Sequence, residues 1–288
     1  MKRLRTFRIA LLLGLASLAS CVAAPVLVDV ETRSETTLEA ALDVLARADV
    51  VFLGELHDSD QGHQFQLDAF NGLRERNGAG SILALEMFER DVQSELDAWL
   101  AGDLDRDQFL ADSRPWGNYQ RHYEPIVVAA RDAGAPVIAA NIPRILASRV
   151  VTEGVASIVD EEFAPRSIDA GREGPYRAKI VELMEENGVD ADVARIDKVV
   201  ASQCVKDDAM AESIADALAR HPDRQVVVLL GAFHCEERLG TVERLARRRP
   251  DLDLVVVGMT GHGDRASDET DGLRRGRFVL YVGDSSSD

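Results

Sequence analysis

Short apolar runs rich in β-branched residues recur along the chain without alternating polar positions: Val50–Gly54, Ile82–Met87, Val137–Ala140, Val226–Gly231, Leu254–Gly258 and Phe278–Val282. Runs of this length with no polar side are the signature of strands covered on both faces. Between them lie segments of helical periodicity, Thr37–Ala48, Gln61–Arg76, Asp91–Ala101, Tyr123–Ala133, Asp207–Arg220 and Thr241–Arg249. The alternation predicts an α/β fold with a mainly parallel central sheet flanked by helices. The rhythm breaks between residues 144 and 220, where little reads as a strand. A helical insertion over about 145–220 is therefore expected before the later strands, with "APRSIDAGREGPYRAKI" (164–180) as a loop inside it. Residues 37–284 read as one domain, 21–36 as a tether and 285–288 as a tail.

The first twenty residues differ in kind. Lys2, Arg3, Arg5 and Arg8 precede the apolar stretch "IALLLGLASLAS", which is short for a membrane span and has the form of a secretory signal. It ends in Leu18-Ala19-Ser20-Cys21, similar to the bacterial lipobox. That similarity predicts acylation of Cys21, palmitate included; the bland alternative is an ordinary signal with an incidental Cys. Several acyl chains on one residue supply the anchoring that a single chain does not. Val22 stands where inner-membrane retention would favour Asp, so the expected location is the cell envelope, lipid-anchored in the outer membrane and facing the periplasm.

Composition narrows the partners. At 288 residues and 46% hydrophobic, the chain is long enough for a sizeable core. Its net charge of −17 falls to −21 once the four basic residues of 1–20 are removed. So acidic a surface repels nucleic acid and anionic headgroups, which excludes DNA and RNA as partners and leaves membrane attachment to the lipid anchor. Cys204 and Cys235 could pair in an oxidising compartment, but there is no disulfide framework.

In an open α/β sheet, ligands bind beyond the carboxyl ends of the strands. The residues that follow four of the expected strands are Glu55 with His57, Glu86, Asn141 with Arg144, and His234. Singly, each has an ordinary explanation: Asp58 or Ser59 caps the next helix, Glu86 is a surface charge, His234 packs in a loop. Four at one sheet edge point to a shared site. His57 and His234 with Glu55 or Glu86 make a ligand set for Zn²⁺, Mn²⁺ or Fe²⁺ with open positions for water, the remaining carboxylate acting as general base. The same groups can do acid–base work without a metal, with Arg144 holding an anion or polarising a carbonyl. The spacing matches no compact zinc motif. His63, six residues beyond His57, reads as solvent-facing or as support behind the site.

Two further clusters stand out. In "WGNYQRHYEP" (116–125), Tyr119 and Tyr123 share a helix face, and a phenolate or the His122 imidazole could ligate a haem iron. Alternatively the stretch is an aromatic patch packing a helix onto the sheet. Gln203, Asp207 and Met210 lie on one face of a helix and either point into the site or make a helix contact.

Taken together, "GELHD" (54–58), "ALEMF" (84–88), "WGNYQRHYEPIV" (116–127), "AANIPR" (139–144), "QCVKDDAMA" (203–211) and "GAFH" (231–234) resemble the ChaN family of bacterial iron-regulated, haem-binding lipoproteins, within the broader Tiki/TraB/erythromycin-esterase superfamily. No single motif is specific; six in order over nearly the whole mature chain are. The nearer branch implies an envelope lipoprotein that binds haem at the surface of a homodimer for iron uptake. The wider superfamily implies a metal-dependent hydrolase, an esterase or peptidase, whose centre matches Glu55, His57, Glu86 and His234. "GAFHCEERLG" departs from the Gly-rich form expected around the last His, with Cys235 directly after it.

Overall fold

A computed structural model describes residues 23–77, 80–171, 173–186, 188–189, 192–266 and 275–283; the signal segment 1–20, Cys21 and the tail 285–288 lie outside them. The strands are β1 (Val26–Asp29), β2 (Ser34–Thr36), β3 (Val50–Glu55), β4 (Ser81–Glu89), β5 (Val137–Asn141), β6 (Gln225–Gly231), β7 (Leu254–Gly261) and β8 (Phe278–Val282). They form one sheet in the order β2-β1-β8-β7-β3-β6-β4-β5. From β8 to β5 all neighbours run parallel, and β1 and β2 add an antiparallel edge. The segment expected to be a tether therefore contributes two strands: Val26–Asp29 pairs with Phe278–Tyr281.

The alternation of side chains along each strand divides the interior in two. Val51 and Leu53 of β3, Leu83 and Leu85 of β4, and Val227 and Leu229 of β6 face one core. That core is covered by α1 (Leu38–Leu45), α2 (Asp60–Arg76), α3 (Gln93–Ala101), α4 (Arg106–Ser113), α5 (Tyr119–His122) and α6 (Glu124–Asp132). Val50, Phe52, Ile82, Ala84, Val226 and Val228 face the other core, under α9 (Val193–Arg220) and α10 (Gly240–Arg248). Both faces of β3, β4 and β6 are dry, which is why their sequences show no polar alternation.

Among the described residues of 144–220 there is no strand, and the main helices are α7 (Arg144–Glu153), α8 (Pro175–Glu186) and α9. Two expectations change here. The loop expected over 164–180 ends in helix, because α8 starts at Pro175, a residue suited to a first helical turn. And α9 is a 28-residue helix that starts at Val193, well before Asp207. Its N-cap Asp192 accepts the Arg195 N–H, and its charged residues Asp207, Asp208 and Glu212 are buried inward. Cys204 and Cys235 are both buried and unpaired, in separate apolar clusters.

The chain leaves β3 through α2 on one face and leaves its neighbour β6 through α10 on the other. Adjacent parallel strands with diverging exits leave a crevice at their carboxyl ends, the place where such sheets hold ligands.

Candidate functional site

A cleft of about 820 Å³ opens at that crevice. This lies within the ~300–1,000 Å³ usual for small-molecule sites. Its floor comes from the strand ends: Glu55 and His57 after β3, Glu86 of β4, and Gly231 and His234 after β6. The four residues expected to converge do so. The parity of the strands explains where each points. Glu55 continues the Val51–Leu53 face and meets α2 and α6, whereas Glu86 continues the Ile82–Ala84 face and meets the α9 side.

Glu55 is buried and fully engaged. Its Oε1 accepts from Tyr123 Oη at 2.5 Å and lies 2.8 Å from His57 Nδ1, and its Oε2 accepts from Gln66 Nε2 at 3.0 Å. Burial pushes its pKa up, but His57, His63 and Tyr123 outweigh burial and hold it below the ordinary carboxylate value. The hydrogen bond to Glu55 in turn raises His57, against partial burial. The His57 side chain remains 47% exposed in the cleft and rests edge-on against Trp116, ring centroids 5.0 Å apart. Ser59 caps α2 by accepting the Gly62 N–H, so the turn between β3 and α2 is closed by the serine rather than by Asp58. His63 is buried; its Nε2 donates to the His57 carbonyl at 3.0 Å, so it supports the turn and does not face solvent.

A second imidazole–carboxylate pair mirrors the first. His234 Nδ1 is 2.8 Å from Asp207 Oδ1. Asp207, with no exposed surface, also accepts from Thr241 Oγ1 at 2.8 Å and Tyr176 Oη at 2.6 Å. Burial works against charge on His234, but Asp207 and Glu86 outweigh it and raise its pKa. Asp207 is lowered: His234, Arg244 and Tyr176 overcome burial. Glu86 lies between the pairs. Its Oε2 accepts the Gly231 N–H at 2.7 Å and its Oε1 is 3.5 Å from His234 Nε2. A Cβ at Gly231 would sit 3.1 Å from His57 Cε1 and 3.2 Å from His57 Nε2, so glycine lets the His57 ring lie close over the end of β6.

The remaining expected residues lie elsewhere. Asn141 braces the floor from behind, donating to the Glu86 carbonyl at 3.1 Å. Arg144, at the first turn of α7, is 72% exposed, 3.9 Å from Glu89, and does not line the cleft. Tyr119 is buried against Phe88 and Phe109, and its hydroxyl has no hydrogen-bond partner among the described residues. Tyr123 is spent on Glu55, and burial raises both phenols well above their ordinary value. His122 is buried, stacked on His63 and within 2.9 Å of Asp60 through Nε2. The haem-ligand expectation for Tyr119, His122 and Tyr123 therefore meets three inward-facing side chains, whose helix packs on the sheet as an aromatic patch.

Among the described residues, no group of three or more His, Cys, Asp or Glu side chains is placed to hold a metal ion. Each imidazole gives Nδ1 to its own carboxylate and keeps Nε2, whereas Glu55 is saturated by its donors.

The cleft also has an apolar lining that the motifs did not reveal. Ile180, Leu183 and Met184 of α8, Val199 of α9, Phe233, Leu56 and Trp116 form it, and Gln203 and Lys206 of α9 line the same cleft. Tyr176 and the α8 side chains lay in or beyond the Gly/Pro-rich stretch, where charge masks the helix. Of the third sequence cluster, Asp207 reaches His234, Gln203 lines the cleft, and Met210 is core.

An eight-stranded, mostly parallel α/β sheet with a ligand cleft at its topological crossing is the class to which fold and site assign the protein. The chain belongs to the family described as haem-binding uptake, Tiki superfamily, ChaN, whose sequence model matches residues 41–245. Its fold is similar to ChaN of Campylobacter jejuni, a structure titled for cofacial haem binding, with a TM-score of 0.71 and 19% identity over 90% of this chain and 97% of that one. It is also similar to the type III effector HopBA1, at a TM-score of 0.50 and 11% identity over 86% and 94% of the two chains. No curated protein matches the chain.

Proposed function

We propose that this protein is an envelope lipoprotein that binds haem for iron uptake. The observation that carries the reading is the family match across residues 41–245, joined to a cleft with an apolar lining. Haem is here cargo: a flat apolar macrocycle with two carboxylates. Leu56, Trp116, Leu183 and Met184 offer the macrocycle a surface, and the cleft is large enough for a small-molecule ligand. The phenols do not fit the iron as placed, because all four tyrosines are buried. Leu18–Cys21 supports acylation and outer-membrane anchoring, with the acidic domain held at the membrane by lipid alone. The cofacial haem binding of ChaN of Campylobacter jejuni suggests two copies with their haems face to face.

Haemin titrated into the purified protein is expected to give a Soret band, split by excitonic coupling, at one haem per chain and with a shift to dimer in sedimentation. Leu183→Glu, at the exposed rim of the cleft, is expected to weaken it. No Soret change at micromolar haemin refutes the reading. Radiolabelled palmitate incorporation that is lost in Cys21→Ala tests the anchor.

The twin imidazole–carboxylate pairs favour a second reading, hydrolysis of an ester or amide. With Nδ1–H given to Glu55, His57 keeps Nε2 as a base. It takes a proton from water as the oxygen attacks the carbonyl, then returns the proton to the leaving group as the acyl bond breaks. Turnover of activated esters that disappears in His57→Ala and in Asp207→Asn supports this; equal rates in all three proteins exclude it.

A further inference from the structure

We infer that Lys206 is the anchor for a ligand carboxylate in the cleft, which on the haem reading above is a porphyrin propionate. Val199, Gln203 and Lys206 are spaced i, i+4 and i+7 on α9 and together line one side of the cleft. Among the described residues lining it, Lys206 is the only Lys or Arg. In sequence it is followed by two acids, which suggests a neutralised charge. The structure shows otherwise. Asp207 turns to His234, Tyr176 and Thr241. Asp208 turns the other way, to Arg248 at 3.0 Å and to the Asp169 N–H at 2.7 Å. No ion pair to Lys206 is found among the described residues, although the chain carries an excess of 17 negative charges and most of its arginines are paired.

The acids within the cleft do not take its place. Glu55 and Glu86 are held at the floor by Tyr123, Gln66 and the Gly231 N–H, and Asp58 accepts from Asn118. Lys206 instead shares the cleft with the apolar side chains of Ile180, Leu183 and Met184. An apolar surface bordered by one unpaired, half-buried ammonium is complementary to an apolar body carrying a carboxylate. Gln203, one turn earlier, adds an amide donor on the same side. A fatty acid shares this chemistry with a porphyrin; the ring of Trp116 in the cleft lining favours the planar ligand.

The test uses metal-free protoporphyrin IX, which keeps both carboxylates without the iron, its dimethyl ester, which removes the charge, haemin, and palmitate. Lys206→Gln is expected to weaken protoporphyrin IX on the order of tenfold, as loss of a hydrogen bond to a charged group does. Lys206→Arg is expected to restore most of the affinity. The dimethyl ester should bind wild type and Lys206→Gln equally weakly. The inference is overturned if Lys206→Gln binds protoporphyrin IX like wild type, if the ester binds as well as the acid, if palmitate alone shows the Lys206 dependence, or if no porphyrin binds. A Soret change with haemin that ignores Lys206→Gln overturns the anchor but leaves the haem reading intact. Lys206-dependent binding of protoporphyrin IX without any iron-dependent spectral change does the reverse.

Discussion

Tyr119 and Tyr123 show what a residue pattern conveys and what it omits. Their spacing of four placed them correctly on one helical side. Nothing in the spacing tells whether that side faces a ligand or the sheet, and both hydroxyls turn inward. They differ in one physical respect that is testable. Tyr119 Oη is buried without a partner among the described residues, so its hydration is lost with nothing gained. Tyr119→Phe is therefore expected to leave stability unchanged within about 0.5 kcal/mol, or to raise it, and to leave the haem spectrum untouched. Tyr123 Oη donates to a buried carboxylate. Tyr123→Phe is expected to cost about 1–3 kcal/mol in urea unfolding, because Glu55 loses a donor that water does not replace. Equal effects of the two changes would mean that the hydroxyls do not have these environments. By contrast Glu55, His57, Glu86 and His234 were legible in the sequence, since each lies at the carboxyl end of an apolar run or within three residues of it, and the strand-end rule needs no side-chain detail. Arg144 lies as far beyond its strand as His234 does, but at a helix start that carries it into solvent.

At the scale of elements, the central strands were legible because burial on both faces writes itself as continuous apolar sequence. The helices were legible only where one face is polar. α9 was read only from Asp207 onward, and nothing in the pattern showed that Asp207, Asp208 and Glu212 are buried. Each is compensated by a partner from another element, and partners distant in sequence leave no local trace. The α9–α10 contact is the clearest case. Arg244 of α10 is buried, with its guanidinium 5.4 Å over the Tyr176 ring, Nη2 donating to the Asp169 carbonyl and Nε 3.5 Å from Asp208 Oδ1. Burial already raises the pKa of Asp208, despite Arg244 and Arg248. Arg244→Met is expected to destabilise by about 3–5 kcal/mol, since it leaves Asp208 buried with one cation fewer. Adding Asp208→Leu is expected to recover part of that loss, because the uncompensated charge goes too. Urea unfolding of the three proteins decides it; a double variant as unstable as the single one would assign the cost to packing alone.

For the whole molecule, Glu55 ties the end of β3 to Gln66 of α2 and to Tyr123 on one side of the sheet, and the His234–Asp207 pair ties the chain after β6 to α9 on the other. Both layers therefore depend on ionisation at one cleft. Glu55 and Asp207 have folded pKa values below their ordinary ones, so their contribution is in place above the ordinary carboxylate range and fades only as pH falls through the lowered values. His57 and His234 have folded values above the ordinary imidazole value near 6.5. Their contribution is complete below that value and is lost as pH rises through the raised ones. Stability should accordingly hold level across mildly acidic pH and decline above neutrality, in the direction opposite to a protein limited by buried neutral histidines. His57 is half-exposed and solvent screens its share, so His234 carries most of the slope. Urea midpoints measured at fixed ionic strength from pH 5.5 to 9 should fall on the alkaline side for wild type, and His234→Asn should flatten that fall while lowering the acidic plateau. A wild-type midpoint that stays constant or rises above neutral pH would show that His234 is not charged in the folded cleft, and the Asp207 carboxylate would then need Tyr176 and Thr241 alone to hold it in the interior.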